Sequence, residues 1–189
     1  MSSNLEIHQK EAAFHDEWAS NTDLSEVAVR AAFEAITAPE NRFILSQMGN
    51  IKGKRILDVG AGLGESSVYF ALLGAEVTMV DISPKMVELA IKLGKNYGVE
   101  INGIVCAAES LNVPDNYYDF VYIGNLLHHL TDRAKLFQQV NAALKSNGRF
   151  FSWDPLTYNP VINIYRKIAT KVRTEDESPL TIADLALAK

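Results

Sequence analysis

Residues 56–64 read Ile-Leu-Asp-Val-Gly-Ala-Gly-Leu-Gly, and a lone acid, Asp81, closes the next apolar run. Arg55–Val59 reads as a strand that turns through Gly60, Gly62 and Gly64 into a helix starting near Glu65. Glycines at such a turn let backbone N–H groups approach a ligand that side chains would block. Glu76–Val80 reads as the next parallel strand, and a carboxylate at its tip can accept hydrogen bonds from a ribose diol. Together they describe a nucleoside-binding βαβ unit.

Spacing narrows the choice of nucleoside. A dinucleotide fingerprint needs G-x-G-x-x-G, with the pyrophosphate on the helix N-terminus. Three positions after Gly62 stands Glu65, whose charge repels a pyrophosphate. Asp58 before the glycines and Glu65 after them suit a ligand carrying positive charge. S-adenosylmethionine, with a sulfonium and an ammonium, is such a ligand, and a nicotinamide cofactor is disfavoured on the same ground.

Length and composition set the outer bounds. A chain of 189 residues, 48% hydrophobic and 22% charged, is expected to form one soluble globular domain with a real core. A net charge of −5 without a basic stripe argues against phosphate-driven nucleic-acid binding. The single cysteine, Cys106, excludes an internal disulfide and a Cys-rich metal site, and reads as a small core residue of an apolar strand; no metal is expected. No run is apolar and long enough to cross a bilayer and no signal pattern opens the chain, so the expected setting is the cytoplasm without a membrane.

Along the chain, residues 1–50 read as a helical cover. His8–Trp18 and Ser25–Phe33 have helical spacing, Asn41–Met48 reads as a turn or short helix, and Pro39 breaks the pattern. Residues 51–153 alternate strand and helix. Beyond the first two strands come a helix at 65–73, another opened by Ser83-Pro84, strands at Ile101–Cys106, Asp119–Ile123 and Arg149–Trp153, and a helix at 132–144 stopped by Asn147-Gly148. This order predicts a Rossmann-like, doubly wound α/β fold, a mostly parallel sheet with helices on both faces. Residues 154–189 read as a helical tail with a basic amphipathic stretch at Ile164–Arg173 and an acidic turn at Glu175-Asp176-Glu177.

The motifs in this order resemble the class I S-adenosylmethionine-dependent methyltransferases, in their small-molecule group, over about residues 53–153. Ile56–Gly64 looks like the glycine-rich first motif, Asp81 to Met86 like the ribose-and-adenine segment, and Ala108-Glu109-Ser110-Leu111 like the loop after the third strand. Asp119 to Leu130, with His128-His129, looks like the fourth strand and its loop.

The resemblance implies that Gly60, Ala61, Gly62 and Gly64 surround the methionine part of the cofactor. It implies that Asp58 orients the ammonium, Asp81 holds the ribose hydroxyls, and Ile82 and Met86 pack on the adenine. The Ala108 and Glu109 backbone would meet the adenine edge, and Asn125 would lie near the transferable methyl.

Two departures stand out. Ala107 occupies a position where many members have an aspartate for the adenine amino group, a loss of about 1 kcal/mol. The two strands that usually follow the fifth are absent from this sequence, which leaves Phe150, Phe151 and Trp153 on an expected sheet edge. An apolar edge invites pairing, so a truncated chain, a homodimer or a partner chain capping that strand is expected.

Methyl transfer from a sulfonium is an in-line displacement that needs orientation first, and a base only when the acceptor must lose a proton. Two histidines are candidate bases. His129 follows the fourth strand at the ligand edge; adjacent residues are not expected to face the cleft together, and the resemblance favours His129 over His128, since members often keep a histidine there, while its plainer reading ties the loop to backbone. His15, beside Asp16, is the other candidate, with a solvated face and a local ion pair as its plainer reading. Phe14 and Trp18 read either as a lid or as core contacts. Packing or surface roles are expected for Tyr117, Tyr118, Tyr158 and Tyr165, and a solvated helix face for Arg166, Lys167, Lys171 and Arg173. The rival to an enzyme is an S-adenosylmethionine-binding, non-catalytic subunit or inactive homologue that completes a partner.

Overall fold

A computed structural model describes residues 4–158 and 178–186. Five parallel strands form one sheet in the order β3-β2-β1-β4-β5: β1 Arg55–Val59, β2 Glu76–Asp81, β3 Asn102–Val105, β4 Tyr118–Gly124 and β5 Leu144–Trp153. The strands of the middle are buried on both faces, as parallel strands under helices must be: Ile56, Leu57, Val59, Val121 and Ile123 are all fully enclosed. The Rossmann-like α/β expectation holds. The order reverses between β1 and β4, and ligands of open α/β sheets lie outside the carboxyl ends at that reversal.

Helices fill the crossovers: α4 Glu65–Leu72, α5 Pro84–Asn96 and α6 Arg133–Ala143. Ser83 caps α5 by accepting from the Met86 N–H, and Pro84 takes the first position, where its missing N–H costs nothing. Before the sheet come α1 Asn4–Ser20, α2 Ala31–Glu34 and α3 Pro39–Met48. Val29, Phe33, Ile44 and Met48 enter the same core as Ile56, Phe70 and Met79, so α2 and α3 share the apolar face beneath the sheet. Phe33 stacks on Tyr69 at 4.5 Å. After β5, Leu156 and Leu180 form an isolated parallel bridge, Leu180 is buried, and α7 Ile182–Ala186 follows.

Several expected elements are corrected. Ser25–Phe33 is not one helix; only its end, from Ala31, joins α2. Asp23 accepts from the Ser25 N–H and hydroxyl and closes a tight turn at Leu24–Glu26, and extended Val27 and buried Val29 follow. Such local side-chain bonds compete with helix formation. Pro39 opens a helix instead of breaking one. Asn147-Gly148 does not stop α6, which ends at Ala143; Leu144 turns extended to pair with Tyr118. Cys106 lies past the end of β3, half-buried rather than in an apolar strand. The tail features at Ile164–Arg173, Tyr165 and Glu175-Asp176-Glu177 fall outside the described residues. Among the described residues β5 is an edge strand, and Phe150, Phe151 and Trp153 are half-buried.

Gly64 shows why one glycine of the loop is fixed by packing. It has φ +84, and a Cβ built there would stand 2.5 Å from the Ala90 Cβ on α5. Gly62 has φ +54 with nothing within 4 Å of such a Cβ. Gly64→Ala is therefore expected to cost roughly 2–5 kcal/mol from strain plus overpacking, and Gly62→Ala about 1–2 kcal/mol from strain alone. Urea denaturation of both variants checks this, and equal losses would remove the packing account.

Candidate cofactor and acceptor site

The loops at the carboxyl edge enclose one cavity of about 750 Å³. Its walls include Asp58, Gly60, Ala61, Gly62, Asp81, Ile82, Ala108, Glu109 and Asn125 from the sheet side, and Phe14, His15 and Trp18 from α1. Nine of the eleven residues expected to hold a cofactor are thus brought together.

Two are not. Met86 is fully buried in the core and does not reach the wall, because α5 turns its side chain inward. Gly64 also lies off the wall, pressed against Ala90.

The glycine loop holds itself together from within. Gly60 and Ala61 donate to the Val80 carbonyl at 2.8 and 3.1 Å, Gly64 donates to the Ala61 carbonyl, and Gly62 donates to Asp81 Oδ2 at 2.8 Å. The expectation that these N–H groups point at a ligand is corrected. They are used inside the loop, so it makes a poor anion nest, while its lack of side chains keeps the cavity open. Asp81 also accepts from the Ser83 N–H on Oδ1 at 2.9 Å. A carboxylate has about four acceptor positions, so both oxygens can take a further donor from a diol.

Asp58 is buried at the floor, where Oδ2 accepts from the Ser66 and Ser67 hydroxyls at 2.6 Å each. Burial raises its pKa from the ordinary 3.8 to about 6, outweighing the two hydroxyl bonds, with Glu65 and Asp81 adding repulsion. Burial also pushes the Glu65 carboxyl up. Three crowded carboxyls with two held towards neutrality gain from a cationic ligand.

On the sheet face Trp153 Nε1 donates to the Tyr122 hydroxyl at 2.8 Å, which donates to Asn41 at 2.7 Å. Burial pushes the Tyr122 phenol up. Asn125 has φ +56 and donates its N–H to the Trp153 carbonyl. Asparagine tolerates that left-handed conformation, which turns the chain at the cavity rim.

α1 closes the opposite side. Phe14 and Trp18 lie on the wall rather than in the core, and Trp18 is 53% exposed, which places them as a lid would lie. Asp16 does not pair with His15. Its Oδ1 accepts from the Ser83 hydroxyl at 2.5 Å and from the Lys85 N–H at 3.2 Å, pinning α1 to the start of α5. His8 meets the buried Glu109 at 3.3 Å. Glu11, absent from the sequence reading, lies 3.6 Å from His15 Nε2 and 3.5 Å from His129 Nδ1.

The loop after β4 holds both adjacent histidines on the wall, contrary to expectation, because Leu127–His129 is a single 3-10 turn with the rings 4.2 Å apart. His128 Nδ1 is 2.7 Å from Asp154 Oδ1. Asp154 was missed as a site residue because nothing local in the sequence joins positions 26 residues apart.

A family model described as a methyltransferase domain matches residues 57–152, about half of the chain. The uncharacterized methyltransferase YcgJ of Bacillus subtilis (strain 168) is 36% identical over 101 residues, 53% of this chain and 40% of that protein. The ubiquinone/menaquinone biosynthesis C-methyltransferase UbiE of Pasteurella multocida is 33% identical over 158 residues, 76% of this chain and 59% of that protein. A crystal structure of YcgJ superimposes with a TM-score of 0.67 at 27% identity, covering 77% of this chain and 64% of that one. The chain spans about half the length of the curated relatives it matches.

Asp58 makes a prediction that needs no ligand. The folded protein keeps this proton up to about pH 6, whereas the unfolded chain releases it near 3.8. Its favourable contribution is therefore full below the unfolded value and is lost as pH rises through about 6. The stability of the native protein relative to Asp58→Asn should fall by about 2 kcal/mol between roughly pH 4 and pH 7. Denaturant midpoints across that range give the difference curve, and a flat curve would show that the carboxyl is not desolvated.

Proposed function

The chain belongs to the class I S-adenosylmethionine-dependent methyltransferases, and on that footing we propose that it passes the cofactor's methyl group, by in-line displacement, to a small-molecule acceptor. One observation carries this reading: a single cavity joins the carboxylate-lined cradle to a wall of histidines and aromatics. The pocket's chemistry fits each part of S-adenosylmethionine. Asp81 would take the ribose diol, and Asp58 with Glu65 would face the ammonium. Ile82, Ala108 and Glu109 would border the adenine, and Gly60, Ala61, Gly62 and Asn125 the methionine chain. The cofactor supplies an activated methyl on a good leaving group; the protein supplies alignment and a dry setting.

The acceptor's place is between α1 and the loop after β4, where His15, His129, Phe14 and Trp18 stand. UbiE is named for C-methylation in ubiquinone and menaquinone biosynthesis, which supports a small organic acceptor. The non-catalytic alternative draws no support, since the cradle opens directly onto room for an acceptor. A cytoplasmic setting belongs to the same proposal; among the described residues no helix is long and apolar enough to cross a membrane. So does a second copy pairing along the outer edge of β5, which light scattering should report as twice the chain mass, a lone monomer counting against it.

Calorimetry with S-adenosylhomocysteine should show binding, absent with NAD. Asp81→Ala should weaken it about 10²-fold through lost charge-assisted bonds. Label from methyl-labelled cofactor should enter a small molecule of a metabolite extract. Tight binding without transfer to any extract would return the reading to a non-catalytic subunit.

A further inference from the structure

Of the three histidines on the acceptor wall, one is held as a base must be held. His128 Nδ1 lies 2.7 Å from Asp154 Oδ1, and the two side chains are only 6% and 3% exposed. The carboxylate is itself fixed, since its oxygens accept from the Leu127 and His128 N–H groups at 3.2 Å each. A carboxylate only accepts, so Nδ1 carries a proton, and in the neutral ring Nε2 is then the acceptor.

The turn that carries His128 is braced from three sides. Arg133 donates through Nε to the Leu127 carbonyl and through Nη2 to the Ser178 carbonyl and hydroxyl, and pairs with Asp184 at 2.7 Å. Ser178 in turn donates its N–H to the His128 carbonyl at 2.8 Å. The other two rings are less restrained. Nδ1 of His15 and Nδ1 of His129 are buried without a hydrogen-bond partner, and Glu11 stands beyond hydrogen-bond reach of both rings at 3.6 and 3.5 Å.

We propose that His128, oriented by Asp154, takes the acceptor's proton, so that the acceptor is an acidic hydroxyl such as a phenol or enol rather than a neutral amine. This rests on the methyl-transfer reading above. As the acceptor oxygen forms its bond to the methyl carbon, the sulfur–methyl bond breaks and its electron pair returns to sulfur. The hydroxyl proton moves to Nε2 of His128 and later leaves to solvent. The step exchanges a sulfonium for an imidazolium, so the carboxylates of the pocket keep a cation among them throughout. Asp154 is a positioning residue that fixes the tautomer and accompanies the charged ring.

Diethyl pyrocarbonate, which acylates bare imidazole nitrogen, should modify His128 in the native protein. The imidazole nitrogen NMR spectrum should show His128 protonated at Nδ1, with a mixture of tautomers in Asp154→Asn. With methyl-labelled S-adenosylmethionine and catechol, butanethiol and hexylamine as probes, label should pass to the catechol oxygen. His128→Asn and Asp154→Asn should each slow that transfer about 10²-fold while S-adenosylhomocysteine affinity stays within about twofold. If no probe is methylated, reagent and spectrum decide alone. A His128 that resists the reagent, or is protonated at Nε2, overturns the proposal, as does label on the amine with Asp154→Asn unchanged. Failure to bind S-adenosylhomocysteine would instead sink the methyl-transfer reading beneath it.

Discussion

The carboxylate of Asp81 joins the two sides of the site. One oxygen holds the Gly62 N–H of the loop after β1, and the other holds the Ser83 N–H at the start of α5. Ser83 then accepts from the Met86 N–H and donates its hydroxyl to Asp16 on α1. A single run of hydrogen bonds thus connects glycine loop, strand tip, helix cap and lid helix. The residue expected to grip a ribose also sets the shape of the cavity that receives it, so binding and local order are coupled at one side chain.

The electrostatics run against stability and towards binding. Asp58, Glu65 and Asp81 crowd one end of the cavity, and burial holds Asp58 and Glu65 towards their neutral forms. Covering carboxyls without a cation costs free energy, and native stability of about 5–15 kcal/mol leaves little room for it. A ligand that brings positive charge relieves the crowding, whereas a pyrophosphate would deepen it. The loop's inward-turned N–H groups act in the same direction, since they leave no nest for an anion.

Much of this was legible in the sequence because it is local. The glycine turn, Asp81 at a strand tip and Ser83-Pro84 at a helix start are each specified within a few residues, and they landed where periodicity and capping chemistry put them. The errors came where distance decided. Met86 has the spacing for an adenine contact, yet α5 turns it into the core. Ser25–Phe33 has helical spacing, yet Asp23 and the burial of Val29 favour a turn and an extended stretch before the helix resumes at Ala31. Asp154 and Glu11 reach the histidines from β5's end and from α1, and nothing near them in sequence announces it.

The two histidine systems differ in how tightly they are held. His128 is tied to its own layer, through Asp154 after β5 and through Arg133 and Ser178, and none of these contacts comes from α1. His129 and His15 meet across Glu11 at 3.5 and 3.6 Å, one from the loop and one from α1, with their rings edge-on at 6.4 Å. A group that must accept a proton at a defined point needs rigidity, because misplacement by an ångström costs rate steeply. The tight pair is the one suited to the proposed proton transfer, and choosing among the histidines by sequence position alone could not have separated it from the looser ones.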